Sequence, residues 1–176
     1  MATKEERRAA VIDALNKARA MELHAVHQYM NQHYMLDDKD YGELAASMKL
    51  IAIDEMRHAE AFAERIKQLG GDPTTTQAGS VTRGQAVTAV YPFDENEEDT
   101  TIAAYNDFMK VCMENSDITS AKLFERIIGD EQLHMDYFGN IAGHIEDLGD
   151  TYLAKIAGTP ASTGPSKGFV LNQNAG

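Results

Sequence analysis

A single cysteine, Cys112, no tryptophan and only four prolines occur in 176 residues. One thiol cannot close an internal disulfide, so the fold gains nothing from covalent staples, and Cys112 with its apolar neighbours reads as core packing. Positive charge is scarce: 16 Lys and Arg against 28 Asp and Glu leave a formal charge of −12 at pH 7. That balance argues against unaided binding to nucleic acid or to an anionic membrane surface, and makes cations the natural partners. Long apolar runs are missing as well. No stretch reaches the length and apolarity of a membrane span, and Met1 to Ala10, with Lys4, Glu5, Glu6, Arg7 and Arg8, leads into no signal-type apolar core. We therefore expect a soluble, cytoplasmic protein, with enough residues for one well-buried domain and too few for two.

What the chain does contain is helical patterning. Apolar residues recur at helical spacing from about Lys4 to Leu36, without Pro or Gly, and stop at Asp37-Asp38-Lys39-Asp40. A second stretch runs from about Tyr41 to Leu69 and ends at Gly70-Gly71-Asp72-Pro73, where Gly permits a left-handed cap and Pro forbids continuation. From about Pro73 to Pro92 the chain is rich in Thr, Gly, Ser and Val without helical period, too long for a tight turn, and reads as a crossover. Helical patterning returns near Asp94, runs to about Glu114, breaks at Asn115-Ser116-Asp117 and continues to about Leu148. Gly149 to Ala157 suggests a short fifth helix. The expected fold is all-α, an antiparallel four-helix bundle with one long crossover, in a domain of residues 1–157 followed by a loosely ordered tail, 158–176.

Two Glu-x-x-His pairs, Glu55/His58 and Glu131/His134, lie inside the expected helices. Positions i and i+3 share a helix face, so each pair can aim a carboxylate and an imidazole at one metal ion. One such pair alone is more simply a solvated face. An internal repeat changes that reading: an offset of 76 residues carries Glu22 onto Glu98, Tyr29 onto Tyr105, Asp54 onto Asp130, Glu55 onto Glu131, His58 onto His134 and Phe62 onto Phe138. The level of these residues agrees. The midpoint of Glu22 and Glu55 falls in the first hairpin turn and that of Glu98 and Glu131 in the second. At about 1.5 Å per residue, all four carboxylates then sit about 25 Å from their turns, deep in the bundle.

Four carboxylates buried together without cations would be prohibitively costly, because burial and mutual repulsion both oppose ionisation. Two divalent cations balance their four negative charges. Oxygen and imidazole donors suit Fe²⁺ or Mn²⁺ better than thiol-preferring metals, and Zn²⁺ also fits. Each of the four glutamates is followed seven residues later by an aromatic, Tyr29, Phe62, Tyr105 or Phe138, which would stack beside the metal layer as water-excluding core. Tyr29 or Tyr105 could instead hydrogen-bond a ligand or supply an electron. Asp54 and Asp130, about 100° off the metal face, read more simply as solvated than as groups that orient ligands, and His24, His27, His33 and His144 as packing or surface residues.

At Met21-Glu22-Leu23, Ile53-Asp54-Glu55-Met56-Arg57-His58-Ala59 and Asp130-Glu131-Gln132-Leu133-His134 the chain resembles the bacterioferritins, the haem-containing branch of the ferritins, over about Val11 to Ala157. The resemblance implies a ferritin-like fold in which Glu22 and Glu98 are terminal iron ligands, Glu55 and Glu131 bridges, and His58 and His134 one terminal ligand each. It further implies a hollow shell of twenty-four subunits that oxidises Fe²⁺ with O₂ or H₂O₂ and stores ferric mineral. Haem would lie between paired subunits with Met56 as the ligand from each, and an electron-donor protein could serve iron release. Helical geometry places Met56 outward beside Ile53, with Leu23, Val26 and Met30 as an apolar stripe on the first helix. One departure is Leu50, where some members carry a His for an additional inner-surface iron site; that site is expected to be altered or absent. A di-iron peroxidase or oxidase, or a haem-carrying electron-transfer bundle, are the competing readings.

Overall fold

The computed structural model describes residues 2–159 and 168–170. Its named elements are five helices: α1 (Lys4–Asp38), α2 (Gly42–Gln68), α3 (Val87–Glu114), α4 (Ile118–Leu148) and α5 (Asp150–Ile156). Among the described residues there is no strand, only an isolated parallel bridge between Tyr41 and Thr159. The tail expected to be loosely ordered falls largely outside the described residues, at 160–167 and 171–176.

Local chemistry sets the helix ends. Thr3 opens α1 with a capping box: its hydroxyl accepts from the Glu6 N–H at 3.1 Å, while the Glu6 carboxylate accepts from the Thr3 N–H at 2.7 Å. Asp117 caps α4 through the Ser120 N–H at 3.0 Å and is itself gripped by Arg65, 2.9 Å away. The repeat reappears in the backbone of the two hairpin turns. Asp40 and Ser116, 76 positions apart, are the non-glycine residues with positive φ among the described residues, at 57° and 62°. Each is flanked by matching closures, Tyr41 N–H to Leu36 C=O at 3.0 Å and Asp117 N–H to Cys112 C=O at 2.9 Å.

One boundary differs from the sequence reading. The third helix begins at Val87, seven residues before Asp94, and takes Pro92 into its interior. As its sixth residue, Pro92 forfeits the bond to the Thr88 carbonyl at a cost of about 3 kcal/mol. Val87, Val90 and Tyr91 are buried in that same segment. At about 1.5–3 kcal/mol for each large apolar side chain taken out of water, burial outweighs the proline.

The crossover is sewn to α1 by polar side chains. Asn16 accepts from the Thr74 N–H at 2.7 Å and donates to the Asp72 carbonyl at 3.2 Å, and Gln28 exchanges bonds of 2.8 and 3.1 Å with the Thr82 backbone. Packing α1 against α2 and α3 against α4 leaves two apolar clusters. One gathers Leu36, Leu44, Met48, Tyr91, Phe138 and Ile141; the other gathers Leu15, Phe62, Ile66, Cys112, Phe124 and Ile127. Between them lies a layer of buried charge.

Candidate metal centre

That layer is built from all four long helices. Glu22 (α1), Glu55 and His58 (α2), Glu98 (α3) and Glu131 and His134 (α4) are each at most 3% exposed. Their donor atoms form two overlapping groups whose members all approach within 4.8 Å of one another, Glu22/Glu55/His58/Glu131 and Glu55/Glu98/Glu131/His134. Glu55 and Glu131 belong to both groups. The six sequence candidates thus converge with a two-fold pattern, and the middle pair of carboxylates is common to both groups.

The contacts follow the repeat closely. His58 turns Nδ1 towards Glu55 (3.0 Å), Glu131 (3.2 Å) and Glu22 (3.8 Å), and His134 turns Nδ1 towards Glu131 (3.0 Å), Glu55 (3.1 Å) and Glu98 (3.8 Å). Behind each ring stands an aspartate from across the bundle: Asp130 lies 3.2 Å from His58 Nε2, and Asp54 lies 3.6 Å from His134 Nε2. Asp130 is within hydrogen-bonding distance of His58, a contact that fixes ring orientation and tautomer, whereas the buried His134 Nε2 has no hydrogen-bond partner among the described residues and Asp54 stands just beyond its reach. Asp54, expected to be solvated, is 4% exposed. Its signal in the sequence was membership of the repeat.

The tyrosines also cross the bundle. Tyr29 donates its hydroxyl hydrogen to Glu98 at 2.6 Å, and Tyr105 donates to Glu22 at 2.5 Å. Burial, reinforced by Glu98 beside Tyr29 and Glu22 beside Tyr105, pushes both phenols well above their ordinary value, so they remain donors. Phe138 packs on Tyr29 with centroids 5.5 Å apart, and Phe62 on Tyr105 at 5.6 Å. These rings sheathe the polar layer above and below.

Without metal, the charges settle by sharing protons. Burial raises Glu22 and Glu98 well above the usual carboxyl range, helped for both by Glu131 and Glu55. Burial pulls the other way on His58 and His134, but the Glu131 charge beside His58 and the Glu55 charge beside His134 hold both imidazoles well above their ordinary value. Glu55, pushed up by burial, is held below its ordinary value by the two imidazoles. Oxygens Glu55 Oε1 and Glu131 Oε1 still lack a hydrogen-bond donor. Buried acceptors that no protein donor satisfies are what a cation between them would use, so the donor set fits a pair of iron ions.

Met56, the other candidate, lies apart on the outer face of α2 and is 54% exposed. It borders an open depression with Leu23, Val26, Ala59 and Ala63, rimmed by Arg19 and Glu60. The remaining histidines stay out of the centre: His33 is buried with Nδ1 2.8 Å from the Ala45 carbonyl, and His144 stacks on Tyr152 at 5.4 Å.

Four long helices, one crossover and a shared carboxylate–imidazole layer define a ferritin-like protein, and the family model for the ferritin-like domain matches residues 12–148. The bacterioferritin of Desulfovibrio desulfuricans is 69% identical over 168 residues, covering 95% of this chain and 94% of that protein. An X-ray structure of that bacterioferritin, describing its diiron site in different catalytic states, superposes with a TM-score of 0.92 at 68% identity, over 96% of this chain and 99% of that one. Mycobacterium tuberculosis bacterioferritin BfrA superposes with a TM-score of 0.80 at 33% identity, over 86% and 96%. The chain belongs to the bacterioferritin family. No helix among the described residues is long and apolar enough to cross a membrane.

Proposed function

We propose that the protein stores and detoxifies iron in the cytoplasm, oxidising Fe²⁺ to Fe³⁺ with O₂ or H₂O₂ at an intra-subunit di-iron centre and keeping the ferric product inside a shell of twenty-four subunits. The observation that carries the reading is the pair of donor groups overlapping at Glu55 and Glu131. Glu22 with His58, and Glu98 with His134, would be the terminal ligands of the two ions, and Glu55 and Glu131 the bridges. A bound pair of ferrous ions supplies two electrons to the oxidant. The protein's part is to bring the six donors together, keep bulk water out with Tyr29, Phe62, Tyr105 and Phe138, hold the His58 ring through Asp130, and set the Asp54 charge behind His134. Tyr29, which donates to Glu98, would position that carboxylate and supply an electron.

Anaerobic titration should saturate at about two Fe²⁺ per chain, and admission of air should then raise the ferric absorbance. Titration that ends without a saturable site would overturn the assignment. Size-exclusion mass separates the storage reading from a solitary di-iron oxidase or peroxidase, which needs no shell.

Haem completes the proposal. Met56 offers an exposed thioether beside an apolar depression on the outer face, a surface that suits a flat apolar macrocycle shared with the same face of a second subunit. The group would aid electron transfer, from an electron-donor protein, for iron release. Met56→Leu should abolish the haem bands of protein purified as the intact assembly and leave Fe²⁺ stoichiometry at its wild-type value. Retention of the bands in that variant rules Met56 out as the ligand.

A further inference from the structure

The repeat makes the two halves of the centre near copies: Tyr105, Glu22, His58 and Asp130 on one side, Tyr29, Glu98, His134 and Asp54 on the other. They differ in what lies behind the aspartate. The Asp130 side chain is 24% exposed, whereas that of Asp54 is 5% exposed. What covers Asp54 comes from 116 residues further along the chain: the Val170 N–H donates to Asp54 Oδ2 at 2.9 Å, the oxygen that faces His134 Nε2. Arg57 donates to the other oxygen at 3.3 Å. Next to Val170, the Phe169 ring meets His134 edge to face with centroids 6.1 Å apart and packs on Tyr137 at 5.1 Å.

Each residue of the tripeptide fits for its own reason. Gly168 has φ +84°, and a Cβ there would run into the Asp54 carboxylate and the Arg57 guanidinium. Phe169 is 7% exposed and belongs to the same apolar cluster against which Leu50 packs. Leu50 stands one turn before Asp54, so the carboxylate finds no imidazole there and spends its lone pairs on the Val170 amide and Arg57. Asp130 hydrogen-bonds His58 and is left about a quarter exposed.

We propose that Gly168–Val170 is a working part of the centre: it closes the His134 half and braces Asp54 and His134, so that the two metal positions exchange at different rates. The ion held by Glu98 and His134 is retained, and the ion held by Glu22 and His58 leaves first. The inference rests on the di-metal reading above and adds an asymmetry that the repeat alone would not produce. Phe169 and Val170 act as positioning residues, through His134 and Asp54, and need touch neither ion nor oxidant.

The test loads the intact assembly anaerobically with Co²⁺, an ion suited to the same N and O donors, and follows its loss to excess chelator. Wild type should release the metal in two phases of equal amplitude, the slower by about tenfold or more. Phe169→Ala should speed the slow phase at least about fivefold at unchanged stoichiometry, Phe169→Leu should largely restore it, and Glu98→Gln should remove the slow amplitude and spare the fast one. A single phase in wild type, or a slow phase indifferent to Phe169→Ala, overturns the proposal. Hydrogen exchange on the metal-free assembly tests the docking independently: the Val170 amide should be protected in wild type and exposed in Asp54→Ala. An unprotected wild-type amide overturns the proposal whatever the metal does, whereas failure of wild type to load two ions counts against the di-metal reading instead.

Discussion

Glu131→Ala should reduce bound Fe²⁺ from about two ions per chain to one or none and slow Fe²⁺ oxidation more than about a hundredfold. Glu131 is expected to be this sensitive because it stands in both donor groups, within 3.2 Å of His58 and 3.0 Å of His134. Its loss would remove a donor from each group and the charge beside His58. Glu22→Ala takes a donor from one group only, so its effect on stoichiometry should be confined to one ion. Glu131→Gln keeps the volume and offers a weak neutral ligand, and should fail almost as completely as alanine while leaving far-UV circular dichroism unchanged. If both variants still bind two ions and oxidise them at the wild-type rate, the centre is not where the carboxylates converge.

The second large effect is on pH. In the metal-free protein Glu22, Glu98, His58 and His134 all hold protons more tightly than in the unfolded chain, where carboxyl and imidazole titrate near 4.5 and 6.5. The native state then carries the extra protons above pH 4.5, and unfolding free energy falls as pH rises, by about 1.4 kcal/mol per pH unit for each proton retained. The part contributed by the imidazoles is complete below 6.5 and disappears as pH climbs through their raised values. Glu55 runs the other way: held below 4.5 by His134 and His58 against the push of burial, it stabilises above 4.5 and loses that contribution as pH falls through its lowered value.

Metal reverses the slope. Binding requires deprotonated carboxylates and neutral imidazoles, so loading should expel up to one proton from each of the four raised groups and tighten as pH increases. Calorimetry of the metal-free assembly should give a Tm that falls between about pH 6 and 9, at roughly 2–4 °C per kcal/mol, while the Co²⁺-loaded assembly gains stability over the same span. A pH-stat during loading counts the protons directly. A metal-free Tm that is flat or climbing across this range, or loading without proton release, would contradict this arrangement of buried charge.

Much of the centre is legible in the sequence, for reasons of helix geometry and internal repetition. Helical geometry puts Glu55 with His58 and Glu131 with His134 on one face, the 76-residue offset pairs Glu22 with Glu98, and the constant rise per residue sets the four carboxylates at one depth. These inferences need only positions on one helix, across one hairpin, or matched by the repeat. The two positive-φ turn residues, Asp40 and Ser116, repeat the same arithmetic in the backbone.

What only the tertiary structure decided depends on the distance between elements remote in sequence. Asp54 and Asp130, read more simply as solvated, stand behind the imidazoles of the opposite hairpin, and Tyr29 and Tyr105 reach glutamates 69 and 83 residues away. Helix α3 starts at Val87 in spite of Pro92 because a core assembled from other helices rewards burial of Val87, Val90 and Tyr91. The docking of Phe169 and Val170 on His134 and Asp54 has no counterpart in the repeat. Periodicity along a chain settles which face of a helix carries a residue, whereas the partner met by that face is settled by packing, through contacts that no local pattern encodes.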